Sequence, residues 1–256
     1  MKQILFLSGK GGTGKTTLSA AFIDFSKSLA FADCDVDAPN LHLAFKDLSK
    51  PKETDYYGFK KAVILNFKCI RCGLCQKECR FNAIEYNRVK IHECEGCGLC
   101  VEICPVQAIK MSDYSSGNLM LHKDNSRVFS TAKLKMGSGA SGKLVSAVKK
   151  QLLDNIVESE IAIIDGSPGI GCPVIASVSG VDIVIIVTEP TVSAMHDMKR
   201  IVDTAKHFNI SPLICINKFN INEENTKEIE NYCLENKIKM IGKIPFDSTV
   251  IEAVNN

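Results

Sequence analysis

No apolar run in this chain approaches the roughly 18 residues that a bilayer-spanning helix needs. The longest, such as residues 184–187, have the length of short strands. An excess of one charge is missing too: 31 Lys and Arg against 29 Asp and Glu leave a net charge of +2. Neither nucleic acid nor an anionic membrane is therefore expected as the main partner. A secretory leader is not read either. Residues 1–7 form a short apolar stretch that runs straight into a glycine loop, whereas a leader has a longer apolar region and a small-residue cleavage site. A cytoplasmic location is expected. With 256 residues, 45% hydrophobic and 23% charged, the chain suits one large domain, or a medium one plus a small one.

Cysteine, by contrast, is abundant. Eight of the 12 cysteines fall in one stretch, arranged twice as C-x2-C-x2-C-x3-C: Cys69, Cys72, Cys75 and Cys79, then Cys94, Cys97, Cys100 and Cys104. In a leaderless chain such regular spacing points to metal thiolates rather than disulfides. Thiolates suit zinc or iron–sulfur clusters, and isolated C-x2-C pairs fit zinc. A triple run with a fourth cysteine three residues on is instead the ferredoxin pattern for two [4Fe–4S] clusters, in which the fourth cysteine of each run serves the other cluster. One predicted set is Cys69, Cys72, Cys75 and Cys104; the other is Cys94, Cys97, Cys100 and Cys79. The two copies are offset by 25 residues, and their tails match as Asn82-Ala83-Ile84 and Gln107-Ala108-Ile109. Pro105 follows the second run, but Arg80 stands after the first. A cation there is expected to raise a cluster's potential.

The rest of the chain alternates apolar strands with amphipathic helices. Strands are predicted at residues 4–7, about 29–33, 161–164, 181–188, 213–217 and 240–244. Helices are predicted at 14–26, 144–153, 193–208 and 223–236, with Leu18, Phe22, Phe25 and Leu29 on one face of the first. This is an α/β pattern: a buried, mostly parallel sheet with helices on both faces. The pattern stops between about Gly58 and Met111. The expected division is residues 1–57 and 113–256 for the α/β domain, and 58–112 for an inserted small α+β domain. Residues 112–141 are polar and Ser/Gly-rich, with no clear element.

Gly9-Lys10-Gly11-Gly12-Thr13-Gly14-Lys15-Thr16 satisfies G-x4-G-K-[ST]. Glycines let successive N–H groups face the phosphates of a nucleotide, and the helix N-terminus adds partial positive charge. Lys15 is placed to reach the outer phosphates, and the Thr16 hydroxyl to ligate Mg2+. The same letters contain G-x-G-x-x-G, with Asp33 and Asp35 at a distance that suits a ribose. Lys15-Thr16 argues against that dinucleotide reading, which requires neither residue.

With Lys10 and Thr17, the loop G-K-G-G-T-G-K-T-T resembles the deviant Walker A loop of the MinD/ParA family of ATPases, to which the nitrogenase iron protein is related. Asp33-Cys34-Asp35-Val36-Asp37-Ala38-Pro39-Asn40 resembles that family's first switch, and Asp165-Gly166-Ser167-Pro168-Gly169 its second. With the cysteine-rich insert, the chain looks like a MinD-type ATPase carrying a ferredoxin domain. The resemblance implies a homodimer in the ATP state, with Lys10 reaching the partner's nucleotide. It makes Asp35 the candidate for orienting the attacking water, and Asp33 and Asp165 candidates for the Mg2+ shell. Asn217 and Pro245 would hold the base. Asn220 stands where guanine readers carry aspartate, so ATP is favoured over GTP.

Gly137-Ser138-Gly139-Ala140-Ser141-Gly142-Lys143 also fits G-x4-G-K, but Leu144 follows and no strong strand is read before it. This loop is expected to start a helix or to contact a partner. Cys34, Cys172, Cys215 and Cys233 are expected to be small core residues. Cys172 also sits just past the second switch, where the nitrogenase iron protein has a cluster ligand, and the C-x2-C used by iron–sulfur carrier ATPases is absent.

Three functions are compatible with these features. The leading one is an ATP-driven switch coupled to electron transfer, with a redox protein as partner. The second is an assembly ATPase that delivers a metallocofactor to a maturation partner. The third is a positioning ATPase like MinD, which docks on membranes through a basic amphipathic helix; none is read in residues 250–256, and no membrane binding is expected.

Overall fold

The computed structural model describes residues 1–125, 127–156 and 159–255; Asn256, the end of the C-terminal stretch considered above, lies outside them. The chain opens with β1 (Lys2–Ser8), α1 (Lys15–Ser26) and β2 (Ala30–Asp33), then runs out through β3 (Lys52–Tyr57). A small lobe follows: β4 (Lys61–Ile64), α2 (Leu74–Lys77), β5 (Ile84–Glu85), β6 (Arg88–Val89), α3 (Leu99–Glu102) and β7 (Ile109–Ser112). The chain then returns through β8 (Ser115–Lys123), β9 (Val128–Leu134), α4 (Ser141–Asn155), β10 (Ile161–Pro168) and α5 (Cys172–Val178). It closes with β11 (Ile183–Thr188), α6 (Val192–His207), β12 (Pro212–Asn217), α7 (Glu223–Glu235), β13 (Lys239–Ile244) and α8 (Ser248–Asn255).

The large domain is built on a nine-stranded sheet in the order β13-β12-β11-β1-β10-β2-β9-β8-β3. From β13 to β9 every pairing is parallel, whereas β8 and β3 extend the far edge antiparallel. The central strands carry unbroken apolar runs, such as residues 4–7, 161–164 and 183–187, because both of their faces are covered. In β1, Leu5 and Leu7 belong to one core while Phe6 belongs to the other. The first core is closed by α4, α5, α6 and α7, through residues such as Leu144, Val174, Met198 and Ile229. The second is closed by α1, with Ile23, and by Leu41 of a short 3-10 turn.

Three sequence expectations are corrected here. Residues 112–141 are not irregular: β8 and β9 occupy most of them, and Leu121, Phe129 and Ala132 are buried among polar neighbours. Alternation hidden within a polar stretch does not stand out along the chain. A strand, β9, therefore does precede the second glycine-rich loop. Finally, Phe25 is 84% exposed and Leu29 lies outside α1, because Lys27 turns left-handed at the helix end (φ 51°).

The small lobe is a separate body of secondary structure, since β4 pairs only with β7 and β5 only with β6. Its repeat is structural as well as sequential. Gly73 and Gly98 both turn left-handed before their short helices (φ 76° and 80°), and Asn82 and Gln107 do so after them (φ 52° and 49°). Its buried core is small: Ala62, Ala83, Cys94 and Ile109, packed with Cys75, Cys79, Cys100 and Cys104. With Ile64, Val89, Val101 and Met111 the cluster has twelve side chains, five of them cysteines.

Candidate functional site

In a doubly wound sheet, ligands bind beyond the carboxyl ends of the strands. Here that edge gathers groups from four elements. Residues 9–14 link β1 to α1, and Asp165 on β10 pairs in register with Phe6 on one side and Asp33 of β2 on the other. Two carboxylates thus stand side by side, both fully buried.

Asp165 is the centre of the network. Its Oδ1 accepts hydrogen bonds from Lys15 Nζ at 2.6 Å and Ser19 Oγ at 2.7 Å, and its Oδ2 accepts from Thr16 Oγ1 at 2.7 Å. Lys15, Thr16 and Ser19 share one face of the first turns of α1. Ser19 was missed in the sequence, although its i+4 spacing from Lys15 is a usable signal. Thr13 Oγ1 is buried without a hydrogen-bond partner, an atom that a phosphate oxygen would satisfy.

Asp33 serves the first switch. Its carboxylate accepts from the backbone N–H groups of Asp35, Asn40 and Leu41, each at 2.9 Å, and so ties residues 33–41 into one loop. Burial, reinforced by Asp165, pushes its pKa up to about 7, despite those N–H groups and the nearby Lys15. Asp35 is only partly buried; burial raises its pKa, and Lys15 opposes the rise.

Lys10 is engaged within its own chain. Its Nζ lies 2.6 Å from Glu189 Oε1 and donates to Thr191 Oγ1 at 3.3 Å. Lys218 reaches the other oxygen of Glu189, also at 3.3 Å. Burial pushes the Glu189 carboxyl upward, but Lys10 and Lys218 outweigh it and hold the pKa below its ordinary value. Glu189 and Thr191 were not picked out from the sequence; their place just past β11 was the available signal.

Asn217 sits at the end of β12 with both ends of its carboxamide occupied. Nδ2 donates to the carbonyl of Thr13 at 2.8 Å, and Oδ1 accepts from the backbone N–H of Lys218 at 3.0 Å. It therefore braces the phosphate loop. Beside it lies a cavity of about 530 Å³ lined by Gly14, Thr17, Leu18, Phe25, Pro245 and Phe246, among others. Its wall is largely apolar, and the exposed Phe25 is part of it.

The lobe's cysteines surround two further cavities. Cys69, Cys72, Cys75 and Cys104 line the smaller, about 20 Å³; Cys94, Cys97, Cys100, Cys79 and Cys75 line the larger, about 240 Å³. All are free thiols. Burial raises the pKa of Cys100 to about 11, with added repulsion from Cys94 and Cys97. Among the described residues, no three His, Cys, Asp or Glu side chains close on a single ion. Of the two thiol-lined spaces only the larger is wider than an ion, the smaller having room for about one water, and the Ala108 N–H points at Cys104 Sγ at 3.2 Å. Thiol chemistry, two separate spaces and an undersized apolar core all fit inorganic clusters.

Outside the lobe, Cys34, Cys215 and Cys233 are buried, but Cys172 is exposed, which corrects its expected core role. Its backbone abuts the second glycine loop: a Cβ on Gly142 would lie 3.1 Å from the carbonyl oxygen of Cys172. A Cβ on Gly139 would lie 3.2 Å from Glu95 Oε2, and Lys143 stacks over Phe59 at 4.3 Å. Residues 137–143 are thus wedged between the lobe and the start of α5.

A glycine loop between a parallel strand and a helix, with its lysine and threonine on a buried strand-end acid, defines a P-loop nucleotide-binding domain. Residues 4–256 match the family model for the CobQ/CobB/MinD/ParA nucleotide-binding domain, and the chain belongs to that family. It is 35% identical over 257 residues to uncharacterized protein MJ0578 of Methanocaldococcus jannaschii, covering 99% of this chain and 88% of that one. Two solved structures share the fold at low identity. The septum site-determining protein MinD of Pyrococcus horikoshii, complexed with Mg-ADP, is 16% identical with a TM-score of 0.55, over 99% of this chain and 84% of that one. MinD in the MinC:MinD cell division complex of Aquifex aeolicus is 17% identical with a TM-score of 0.53, over 100% and 86%. Among the described residues, no helix is long and apolar enough to cross a membrane.

Proposed function

We propose that this chain binds and hydrolyses Mg·ATP as a nucleotide-dependent dimer, and that its small lobe, residues 58–112, holds two [4Fe–4S] clusters whose electron delivery the nucleotide state governs. The observation that carries the ATPase half is the buried Lys15–Asp165–Thr16 network on the phosphate loop. With Mg·ATP bound, Lys15 turns to the outer phosphates. Thr16 would ligate Mg2+, and Asp165 and Asp33 would hold its water shell. Gly9, Gly11, Gly12, Thr13, Gly14 and Thr17 line the phosphate path, Asp35 orients the attacking water, and Lys10 crosses to the partner's nucleotide. A lysine acting in trans neutralises developing charge, a role worth about 10³–10⁵ in rate for arginine fingers.

The two thiol-lined cavities support the cluster half. Cys69, Cys72, Cys75 and Cys104 would hold one cluster, and Cys94, Cys97, Cys100 and Cys79 the other; their chemistry is one-electron storage. The wedge at residues 137–143 lets movement near α5 reach the lobe. Turning such a two-state equilibrium fully over takes about 5.5 kcal/mol of differential binding, which phosphate and Mg2+ contacts can supply.

A second reading is a MinD-like ATPase that recruits a protein partner in its ATP state, with the lobe as a passive module. The comparisons favour this reading on their own, because the solved neighbours include MinD cell-division proteins, one structure being a MinC:MinD complex, and plasmid partition proteins. An assembly ATPase that hands a cluster to an apo-protein is the third. Iron and acid-labile sulfide analysis with EPR titration, on anaerobically purified protein with and without MgATP, separates them. The proposal expects about eight irons per chain and cluster signals that respond to MgATP in the wild type but not in Lys15→Ala. Zinc in place of iron, or spectra indifferent to nucleotide, would leave the MinD-like reading. Intact transfer to an apo-protein would favour assembly.

A further inference from the structure

The small lobe divides its charge between the two cysteine runs. The first carries Lys68, Arg71, Lys77 and Arg80 with one acid, Glu78; the second carries Glu93, Glu95 and Glu102 and no Lys or Arg. All four cations are exposed, and among the described residues none of them makes a salt bridge. Lys90, by contrast, is paired with Glu85 and Glu93. Compensation of cluster charge does not explain the split. Two like clusters would need cations equally, yet the second run is acidic.

The two runs also face differently. The second is turned towards the large domain: a Cβ on Gly139 would lie 3.2 Å from Glu95, and one on Gly137 3.2 Å from His92. The first carries large apolar side chains in solvent. Phe67 is 83% exposed, Ile70 62% and Tyr86 83%, and Cys72 is exposed as well; Ile70, Cys72 and Asn87 line one cavity, which sets the turn that carries Tyr86 beside residues 69–72 and makes them one tip. Large apolar side chains held in solvent beside unpaired cations have the composition of an interface core with a charged rim.

We propose that this tip, formed by residues 66–72 together with Tyr86 and Arg88, is the docking face for a small acidic redox protein. The inference rests on the cluster reading above. Unpaired Lys68, Arg71 and Arg88 steer a carboxylate-rich partner towards the tip, and Phe67, Ile70 and Tyr86 supply the desolvated contact that holds it. The acidic second run repels the same partner from the side next to the ATPase domain, so the partner meets the lobe at one end only.

The test is biolayer interferometry of the full-length, anaerobically purified protein on an immobilised acidic 2[4Fe–4S] ferredoxin, at low and high salt. Binding is expected at low salt, with an association rate that falls as salt rises. The double variant Lys68→Glu/Arg71→Glu should associate at least about tenfold more slowly. Phe67→Ser should mainly speed dissociation, and Glu93→Lys/Glu102→Lys should bind as well as wild type or better. Absence of wild-type binding at low salt overturns the proposal, as does loss of binding in the acid-reversed variant alone. Iron content, measured on each variant, keeps the two readings apart. Weaker association with iron retained supports the docking face, whereas salt-dependent binding by an iron-free protein supports the face while sinking the cluster reading.

Discussion

Lys10 and Glu189 lie 2.6 Å apart within one chain. The lysine that would cross to a partner's nucleotide is thus held at home by an acid at the end of β11, which Lys218 shares from the other side. Dimerisation of the proposed kind has to break the Lys10 contact. Glu189→Gln keeps the shape and removes the charge. The variant is expected to dimerise with ATP at about fivefold lower protein concentration, the equivalent of roughly 1 kcal/mol for a partly exposed pair. Sedimentation velocity with and without ATP checks this, and an unchanged midpoint rules the latch out.

The same pair sets a pH dependence. Glu189 has a lowered pKa in the folded chain, so the folded state holds its proton less tightly than the unfolded state does. Its contribution to stability is fully present above the ordinary carboxylate value and is lost as pH falls through the lowered one. Denaturant midpoints of wild type and Glu189→Gln should therefore differ near neutrality and converge at acid pH. Parallel curves across that range would show that the carboxylate contributes nothing.

Asp165 is fully buried, and Lys15 is the only cation bonded to it among the described residues. Lys15→Ala leaves that carboxylate uncompensated, at a cost of about 3–5 kcal/mol in the nucleotide-free protein. Adding Asp165→Asn should restore part of that stability while MgATP binding stays lost in both variants. Urea denaturation and calorimetric titration measure the two effects separately. A Lys15→Ala protein as stable as wild type would show that the buried pair is not a net contributor.

Crossed ligation makes a sharp prediction. Cys104 lines the smaller cavity with the first cysteine run, although it belongs to the second. Cys104→Ser should reduce iron from about eight to about four per chain and spare the cluster of the second run. Cys79→Ser should do the reverse. Loss of both clusters, or of neither, in either variant would contradict the pairing.

The wedge at residues 137–143 predicts coupling. Gly142→Val places a side chain against the carbonyl of Cys172, where even a Cβ alone would stand at 3.1 Å. The variant is expected to bind MgATP and retain iron, but to lose the ATP-dependent change in amide hydrogen exchange of the segment around His92 and Glu95. An unaltered exchange response would place the coupling elsewhere.

Local pattern was enough for the strand–loop–helix opening, the later strands and helices, and the repeat of cysteines. Each of these is a short-range signal: apolar period, glycine spacing or thiol spacing. The structure added what depends on chain returning to chain. Strands β8 and β9 were hidden because only their pairing reveals which residues face inward. Asp165 meets Lys15 across 150 positions of sequence, and no local pattern announces that they touch. Glu189 became a partner of Lys10 only once parallel pairing set β11 beside β1. Composition and spacing thus disclosed the glycine loop and the thiols the chain carries, whereas sheet order decided which groups share a pocket, because side chains far apart in sequence are brought together only by packing.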